Sequence, residues 1–284
     1  MPNIAIITDT NSSLPLDLAA QYHIVQVPII IQFGEENFND VFDIENASCF
    51  ALIDTSGRLP TTAPPTPEKF AEAYRKAFDN GAEQVICFTV SSELSATHRA
   101  AVTARETLPD RDITVIDTLS MSMGQGFIVL AAAQAVGKGA SKEEAIERAL
   151  DVRGRSHLYV SLATLKYMAM SGRIGHLAAG IANVLNVKPI LTMHDGKLEL
   201  LERVRTRLKA WERTIQLAVE AAAGKPVTQA AVLHVNAPQK AHEFEQLFRK
   251  SLKYTQDTLI SEINPGLSIH SGPGAVGVVY IVEK

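Results

Sequence analysis

The sequence predicts an α/β protein of two domains, an N-terminal domain on a parallel sheet and a C-terminal α+β domain with a largely antiparallel sheet. Strand-like and helix-like segments alternate through the first half, and a hairpin signal opens the second half. A chain of 284 residues is also long for one hydrophobic core. A charged stretch around Gly154 marks the boundary, so the expected domains are residues 1–155 and 156–284.

Short apolar runs followed by polar loops indicate the strands of the first half, and helical spacing of apolar residues indicates the segments between them. Pro28 interrupts the second run, because proline has no N–H for a sheet ladder. Gly81 is the expected C-cap of the third predicted helix, and Ser141 with Glu144 predicts a capping box. The predicted strands are 4–7, 25–33, 84–90 and 113–116, and the predicted helices are 14–22, 47–54, 67–80, 94–108, 126–136 and 143–153. Such alternation is typical of a parallel sheet with helices on both faces.

Asp195-Gly196 stands between two strand-like runs of the second half and is a strong hairpin turn signal. A hairpin followed by alternating helices and strands predicts a smaller α+β domain. The predicted strands are 187–194, 197–204, 230–235, 258–263 and 276–282, and the predicted helices are 206–223 and 239–252.

Composition and charge exclude several classes of function. The chain is 46% hydrophobic with a net charge of -4, which gives no electrostatic reason to expect a nucleic acid as partner. No run approaches the roughly 20 apolar residues that span a bilayer, so no stable membrane insertion is expected. The N-terminus lacks a basic segment typical of signal peptides, and Cys49 and Cys87 are too few for a metal cluster. These features predict a cytoplasmic protein.

The segment 272–277 matches the letters of the dinucleotide fingerprint, but the residues that follow it are strand-like. That fingerprint requires a helix after the glycines, so a dinucleotide site is excluded here. The sequence also contains no P-loop, HExxH or GxSxG motif. No cofactor and no catalytic residue are therefore expected.

Hydroxyl-rich loops stand at 8–13, 60–65 and 91–97, and two of them follow predicted strands. Open parallel sheets place ligands at the carboxyl ends of their strands. Thr62 and Ser95 each stand close to a predicted helix N-terminus, where hydroxyls and backbone N–H groups bind carboxylates or phosphates. The alternative is that Ser95 caps its helix and Thr62 lines a turn.

Two cationic or ionisable side chains in the second half suit anions as well. Arg173 stands in a loop after Gly172, and a guanidinium matches the oxygens of phosphate and carboxylate. His270 stands beside the glycine-rich segment 272–274, and an imidazole can donate to phosphate near neutral pH. The alternatives are a weak surface ion pair for Arg173 and a structural role for His270.

Taken together, seven short fragments resemble the DegV family in order and spacing over essentially the whole chain. The fragments are Thr8-Asp9-Thr10, Pro60-Thr61-Thr62, Ser91-Ser92-Glu93-Leu94-Ser95-Ala96-Thr97, Gly172-Arg173-Ile174, Asn186-Val187-Lys188-Pro189-Ile190, Val204-Arg205-Thr206 and His270-Ser271-Gly272-Pro273-Gly274. The resemblance implies two domains with a lipid cleft between them. It also implies a long-chain fatty acid as the bound ligand.

FakB-type members of this family are fatty-acid-binding subunits of bacterial fatty acid kinase, which makes acyl phosphate for phospholipid synthesis. The resemblance therefore implies a non-catalytic carrier whose partner is a fatty acid kinase catalytic subunit. It implies that Thr62 and Ser95 hold the carboxylate and that Arg173 and His270 lie near the phosphate or the kinase. The supporting loop residues would be Asp9, Thr10, Ser92, Thr97, Gly272 and Gly274.

The chain departs from the family pattern at three positions near the expected head group. Ala63 and Pro64 replace Ser-Gln, and Ala96 replaces a glycine. Two further functions remain as alternatives to the carrier. One is a lipid or amphiphile sensor or transport protein without a kinase. The other is an acyl hydrolase with Ser95 as nucleophile and His270 as base.

Overall fold

The first half of the chain is organised around a parallel sheet, as the alternating pattern predicts. The computed structural model describes residues 3–172, 187–252, 254 and 257–284. Strands β1 to β7 and helices α1 to α6 occupy the first half. The strands are β1 Ile4–Asp9, β2 Ile24–Val27, β3 Ile30–Phe33, β4 Glu36–Asn39, β5 Thr61–Ala63, β6 Gln84–Thr89 and β7 Asp112–Asp117. The helices are α1 Leu16–Gln21, α2 Asn46–Ser56, α3 Pro67–Asp79, α4 Thr97–Glu106, α5 Met123–Gly137 and α6 Lys142–Arg155.

The parallel sheet has the order β2-β1-β6-β7, with every neighbouring pair parallel. Two interior layers cover it. One contains Phe70 and Tyr74 of α3, and the other contains Phe127 and Ile128 of α5. The carboxyl ends of β1, β6 and β7 lie along one edge of the sheet, because neighbouring strands run parallel. At the start of α6, hydrogen bonds at Ser141 confirm the predicted capping box.

Pro28 breaks the predicted strand 25–33 into β2 and β3, which belong to different sheets. β3 joins β4 and β5 in a small antiparallel sheet of order β4-β3-β5. The sequence did not predict β4 and β5, because they are short and rich in polar residues. This small sheet positions Thr62, one of the predicted site residues, because Thr62 lies on β5.

The second half contains strands β8 to β13 and helices α7 to α10 among the described residues. The strands are β8 Ser156–Ser161, β9 Lys188–His194, β10 Lys197–Val204, β11 Val227–His234, β12 Leu259–Glu262 and β13 Val276–Val282. The helices are α7 Lys166–Met170, α8 Arg207–Ala222, α9 Pro238–Ser251 and α10 Pro265–Ser271. The sheet order is β10-β9-β8-β13-β11-β12, antiparallel except for the β11–β12 pair.

The hairpin predicted at Asp195-Gly196 is confirmed, with both residues at positive φ as a two-residue turn requires. β8 and α10 were not predicted. The division into domains at residues 155 and 156 stays a prediction, although β8 begins the second sheet at that point.

Gly277, the last glycine of the rejected fingerprint, is required by the close packing of two strands. A Cβ at Gly277 would lie 2.5 Å from the carbonyl oxygen of Tyr159, on the neighbouring strand β8. The glycine therefore serves strand packing, and β13 follows where a nucleotide-binding helix would be required.

Candidate functional site

A cavity of about 460 Å³ is lined by residues from both halves of the chain. Its volume falls within the roughly 300–1,000 Å³ typical of small-molecule sites. Most of its surface is apolar, supplied by the side chains Ile29, Val90, Met121, Leu158, Val160, Leu162, Met168, Leu191, Leu198, Leu233, Ile263 and Leu267. The polar lining includes three of the predicted site residues, namely Thr62, Ser95 and His270.

Thr62 and His270 come from distant parts of the chain and meet at the cavity. β5 carries Thr62 opposite Ile31 of β3, and the last turn of α10 carries His270. The Thr62 Oγ1 lies 3.1 Å from His270 Nε2, which is a hydrogen-bonding distance. A carboxylate at this point would meet a hydroxyl already oriented by an imidazole.

Ser95 stands just before α4, which begins at Thr97 rather than at the predicted residue 94. Its Oγ lies 2.8 Å from the Thr97 hydroxyl and accepts the Thr97 backbone N–H at 3.3 Å. Thr97 is fully buried, whereas Ser95 is partly exposed and lines the cavity. Thr97 therefore fixes the orientation of the Ser95 hydroxyl from behind.

Asp9 holds the loop after β1 in place. Its fully buried carboxylate accepts the backbone N–H groups of Asn11 at 2.9 Å and Val90 at 2.8 Å. The side chains of Asn11 and Gln125 donate to it as well, at 2.7 and 3.1 Å. Burial raises the pKa of Asp9, and these hydrogen bonds act in the opposite direction. Asp9 joins the loops after β1 and β6 and does not line the cavity.

Thr10 connects the first half to the second. Its Oγ1 accepts the Ile29 N–H at 3.2 Å, and its carbonyl accepts the Asn264 side chain at 2.7 Å. Ser261 donates to the Ser13 carbonyl at 3.0 Å beside this contact. These buried bonds hold the loop after β1 against the loop that opens α10, and therefore against the element that carries His270.

The tip of the β9–β10 hairpin makes a second contact between the halves, beside the cavity. The Ser91 hydroxyl donates to the Gly196 carbonyl at 2.7 Å, and Lys197 Nζ lies 3.7 Å from Glu93. A Cβ at Gly196 would lie 2.7 Å from Ser91 Oγ, so only glycine fits without displacement. Glu93, Lys197 and Leu198 all line the cavity.

The other predicted residues surround the site without lining it. Ser92 is exposed, and its backbone N–H donates to Asp117 at 3.3 Å. Gly272 and Gly274 have positive φ, and a Cβ at Gly272 would lie 2.3 Å from the Tyr167 ring. Both glycines shape the turn after His270. Arg173 lies outside the described residues.

The predicted site residues leave out five polar residues that line the cavity, namely Asn11, Glu93, Ser122, Lys197 and Ser271. Ser122 ends the loop Thr118-Leu119-Ser120-Met121-Ser122, which follows β7. This is a third hydroxyl-rich loop at a carboxyl end of the parallel sheet. The rule that selected the loops after β1 and β6 therefore applied here too.

The sequence matches the DegV family, described as uncharacterised proteins, over residues 3–283. The chain belongs to the DegV family. A DegV domain-containing protein of Streptomyces coelicolor is 35% identical over 277 residues, which cover 98% of each chain. Another, from Caldanaerobacter subterraneus, is 32% identical and covers 99% of each chain.

Solved structures of the DegV family share this fold over the whole chain. A DegV family protein of Thermus thermophilus, described for its fatty acid binding, has a TM-score of 0.90 at 29% identity, with 100% of both chains covered. DegV of Bacillus subtilis, described as a fatty acid binding protein, has a TM-score of 0.88 at 27% identity, also with 100% of both chains covered. The predicted fold class and family are thus confirmed.

The described residues contain neither a membrane-spanning helix nor a metal-binding cluster. Within residues 3–172, 187–252, 254 and 257–284, no helix has the length and apolar character needed to cross a membrane. The same part of the chain holds no group of three or more His, Cys, Asp or Glu side chains placed to bind a metal ion.

Asp40 is a buried carboxyl next to the helix that carries His270, and no sequence pattern singled it out. Its Oδ1 accepts the N–H of Gly266 in α10 at 2.9 Å, and its side chain is fully buried. Burial is the main cause that raises the pKa of Asp40 to about 7; the nearby Asp9 adds to the rise, while hydrogen bonds from Thr10, Gly266 and Val41 oppose it. The folded protein therefore binds this proton more tightly than the unfolded chain does.

Replacing Asp40 by Asn should change how stability depends on pH. The stabilising proton on Asp40 is fully present below the unfolded pKa of 3.8, and its contribution is lost as pH rises through about 7. Asn cannot ionise, so the free energy of unfolding of Asp40→Asn relative to wild type should rise from about pH 4.5 to about pH 8. Urea unfolding at several pH values measures this. Asp110→Asn, at an exposed loop carboxyl, is the control, and parallel profiles for wild type and Asp40→Asn would contradict the prediction.

Proposed function

We propose that this protein binds one long-chain fatty acid in the cavity and presents its carboxylate to a fatty acid kinase catalytic subunit. The observation that carries the proposal is a mainly apolar cavity whose polar lining includes Thr62, Ser95 and His270. The apolar surface suits an alkyl chain, and the hydroxyls suit the acid group.

The hydroxyl pairs suit a carboxylate because each can be oriented as a donor. A carboxylate only accepts hydrogen bonds. When His270 Nε2 carries the proton, it donates to Thr62 Oγ1, and a hydroxyl that accepts in this way can donate its own proton to the ligand. Likewise, a Thr97 hydroxyl that donates to Ser95 leaves the Ser95 proton directed at the ligand. In this arrangement Thr62 and Ser95 bind one anion together.

The alkyl chain provides the main driving force. Burying roughly 14–16 methylenes at about 0.8 kcal/mol each removes on the order of 12 kcal/mol of hydrophobic cost from water. Leu158, Leu191 and Leu233 are buried side chains that line the cavity and would contact this chain. The fatty acid binding described for the Thermus thermophilus and Bacillus subtilis proteins supports the same ligand class here.

The second part of the proposal is that a kinase phosphorylates the fatty acid while this protein holds it. Phosphoryl transfer needs positioning and positive charge rather than a nucleophile from the carrier. That requirement fits a non-catalytic chain in which His270 and Arg173 serve the head group. An acyl phosphate made on this carrier would feed phospholipid synthesis, with no cofactor bound to the carrier itself.

Ester or thioester hydrolysis with Ser95 as nucleophile and His270 as base is the weaker alternative. In the hydrogen bonds described above, His270 Nε2 contacts Thr62, while Ser95 Oγ contacts Thr97. Catalytic serines are activated by a base within hydrogen-bonding reach. The pairing seen here places the imidazole on Thr62 and so favours anion binding.

Removing a head-group hydroxyl should weaken fatty acid binding. Thr62→Val and Ser95→Ala should each lower the affinity for palmitate by about 1–2 kcal/mol, or roughly 5- to 30-fold, because each loses one hydrogen bond to a charged acceptor. Isothermal titration calorimetry on delipidated protein measures the change. Thr61→Val is the matched control, since Thr61 is the exposed neighbour on β5. Wild-type affinity in both variants would refute the assigned roles.

Replacing Arg173 should separate loading from phosphorylation. Arg173→Ala should bind palmitate almost as wild type does, while acyl phosphate formation with ATP and the kinase catalytic subunit should fall at least about tenfold, because the guanidinium serves the phosphate or the partner. Arg148→Ala, at an exposed position of α6, is the control. Loss of loading in Arg173→Ala would instead make Arg173 a primary ligand contact or a structural residue.

A further inference from the structure

Ser122 combines three unusual features at one position of the cavity lining. It is 1% exposed, it lines the cavity, and its Oγ has no hydrogen-bond partner among the described residues. Its backbone has a positive φ, with φ 51° and ψ -147°, a combination that favours glycine. Its backbone N–H is engaged, donating to the Asn11 carbonyl at 2.7 Å.

Two of these features cost free energy, the positive φ and the buried hydroxyl without a partner. A non-glycine residue at positive φ is strained, and a buried hydroxyl without a partner loses its hydrogen bonds to water. Ser122 is also the N-cap of α5, where a serine side chain ordinarily accepts a backbone N–H of the first turn. The Ser122 hydroxyl makes no such capping bond. A serine held at this cost, on the surface of a ligand cavity, indicates a function for its hydroxyl.

The neighbouring polar groups leave the Ser122 hydroxyl available to a ligand. Asn11 lines the cavity beside it, but the Asn11 side-chain N–H group is bonded to Asp9 at 2.7 Å. Gln125 donates to Thr8 at 2.9 Å and to Asp9 at 3.1 Å, while its Oε1 has no hydrogen-bond partner among the described residues. A ligand oxygen in the cavity would satisfy Ser122, and a water trapped at the Ser122 hydroxyl is the competing occupant.

We propose that the Ser122 hydroxyl is a further ligand-binding group, which donates a hydrogen bond to an oxygen atom of the bound amphiphile. The proposal rests on the fatty acid binding proposed above. A saturated fatty acid carries oxygen only in its carboxylate, so with that ligand Ser122 is a third donor beside Thr62 and Ser95. With an acid that bears a hydroxyl group on its chain, the chain oxygen is a second source of the same acceptor.

Calorimetric titration of delipidated protein with palmitate and with a chain-hydroxylated 16-carbon acid tests this. Ser122→Ala and Ser122→Gly both remove the hydroxyl, and both should bind palmitate about tenfold or more weakly, because the lost bond goes to a charged acceptor. Glycine also relieves the positive φ, so Ser122→Gly should unfold at higher urea concentration than Ser122→Ala. Ser122→Gly would then be more stable than Ser122→Ala although both variants bind palmitate weakly. A purely structural role of Ser122 would not separate stability from affinity in this way.

Thr214→Val is the matched control, because Thr214 on α8 is a fully buried hydroxyl that also lacks a partner among the described residues but does not line the cavity. It should bind both acids as wild type does. Weakening confined to the hydroxylated acid would assign the contact to a chain oxygen. Equal affinity of wild type and both Ser122 variants for both acids would overturn the proposal and leave a trapped water as the occupant. A wild-type protein that binds neither acid would overturn the proposed function itself.

Discussion

Exclusion of water from a largely apolar interior is the constraint on which the rest of the molecule depends. A cavity lined mainly by Leu, Ile, Val and Met side chains offers water few hydrogen bonds, and leaving it empty forfeits packing. Both halves of the chain must therefore hold their lining surfaces against one another. The buried bonds from Asn264 to Thr10 and from Ser91 to Gly196 hold them in this position.

The polar part of the cavity has a different requirement from the apolar part. To bind the proposed ligand, its hydroxyls need an orientation that neighbouring groups set in advance. The structure meets this with paired groups, namely Thr62 with His270 and Ser95 with Thr97. Behind them, Asp9 collects four hydrogen bonds and fixes the loops at the carboxyl ends of β1 and β6. A buried carboxylate is tolerated when it is so well bonded, and here it provides rigidity instead of chemistry.

Local signals in the sequence predicted the regular elements well. Asp195-Gly196 predicted the hairpin because only a few residue types adopt its two positive φ angles, and Pro28 predicted a break because proline cannot join the ladder. Short strands escaped prediction, because β4 and β5 have no apolar alternation and their pairing with β3 depends on tertiary contacts. β8 escaped too, since its pairing with β9 and β13 is set by residues far away in the chain.

The candidate site was predictable only where local motifs in the sequence mark its residues. Thr62, Ser95 and His270 belong to motifs that a family resemblance can recognise, and all three line one cavity. The hydrogen bond between Thr62 and His270 joins residues 208 positions apart in the chain, and no local sequence pattern contains such a tertiary contact. Ser122 lies in a hydroxyl-rich loop that the strand-end rule could have selected from the sequence, whereas Asp40 is noticeable only once its burial is known.

Native mass spectrometry of the gently purified protein tests the central claim most directly. The proposed carrier should show a mass excess equal to one long-chain fatty acid per chain, and the delipidated protein should take up one equivalent of palmitate. A protein that carries no fatty acid and takes up none after delipidation would contradict the account.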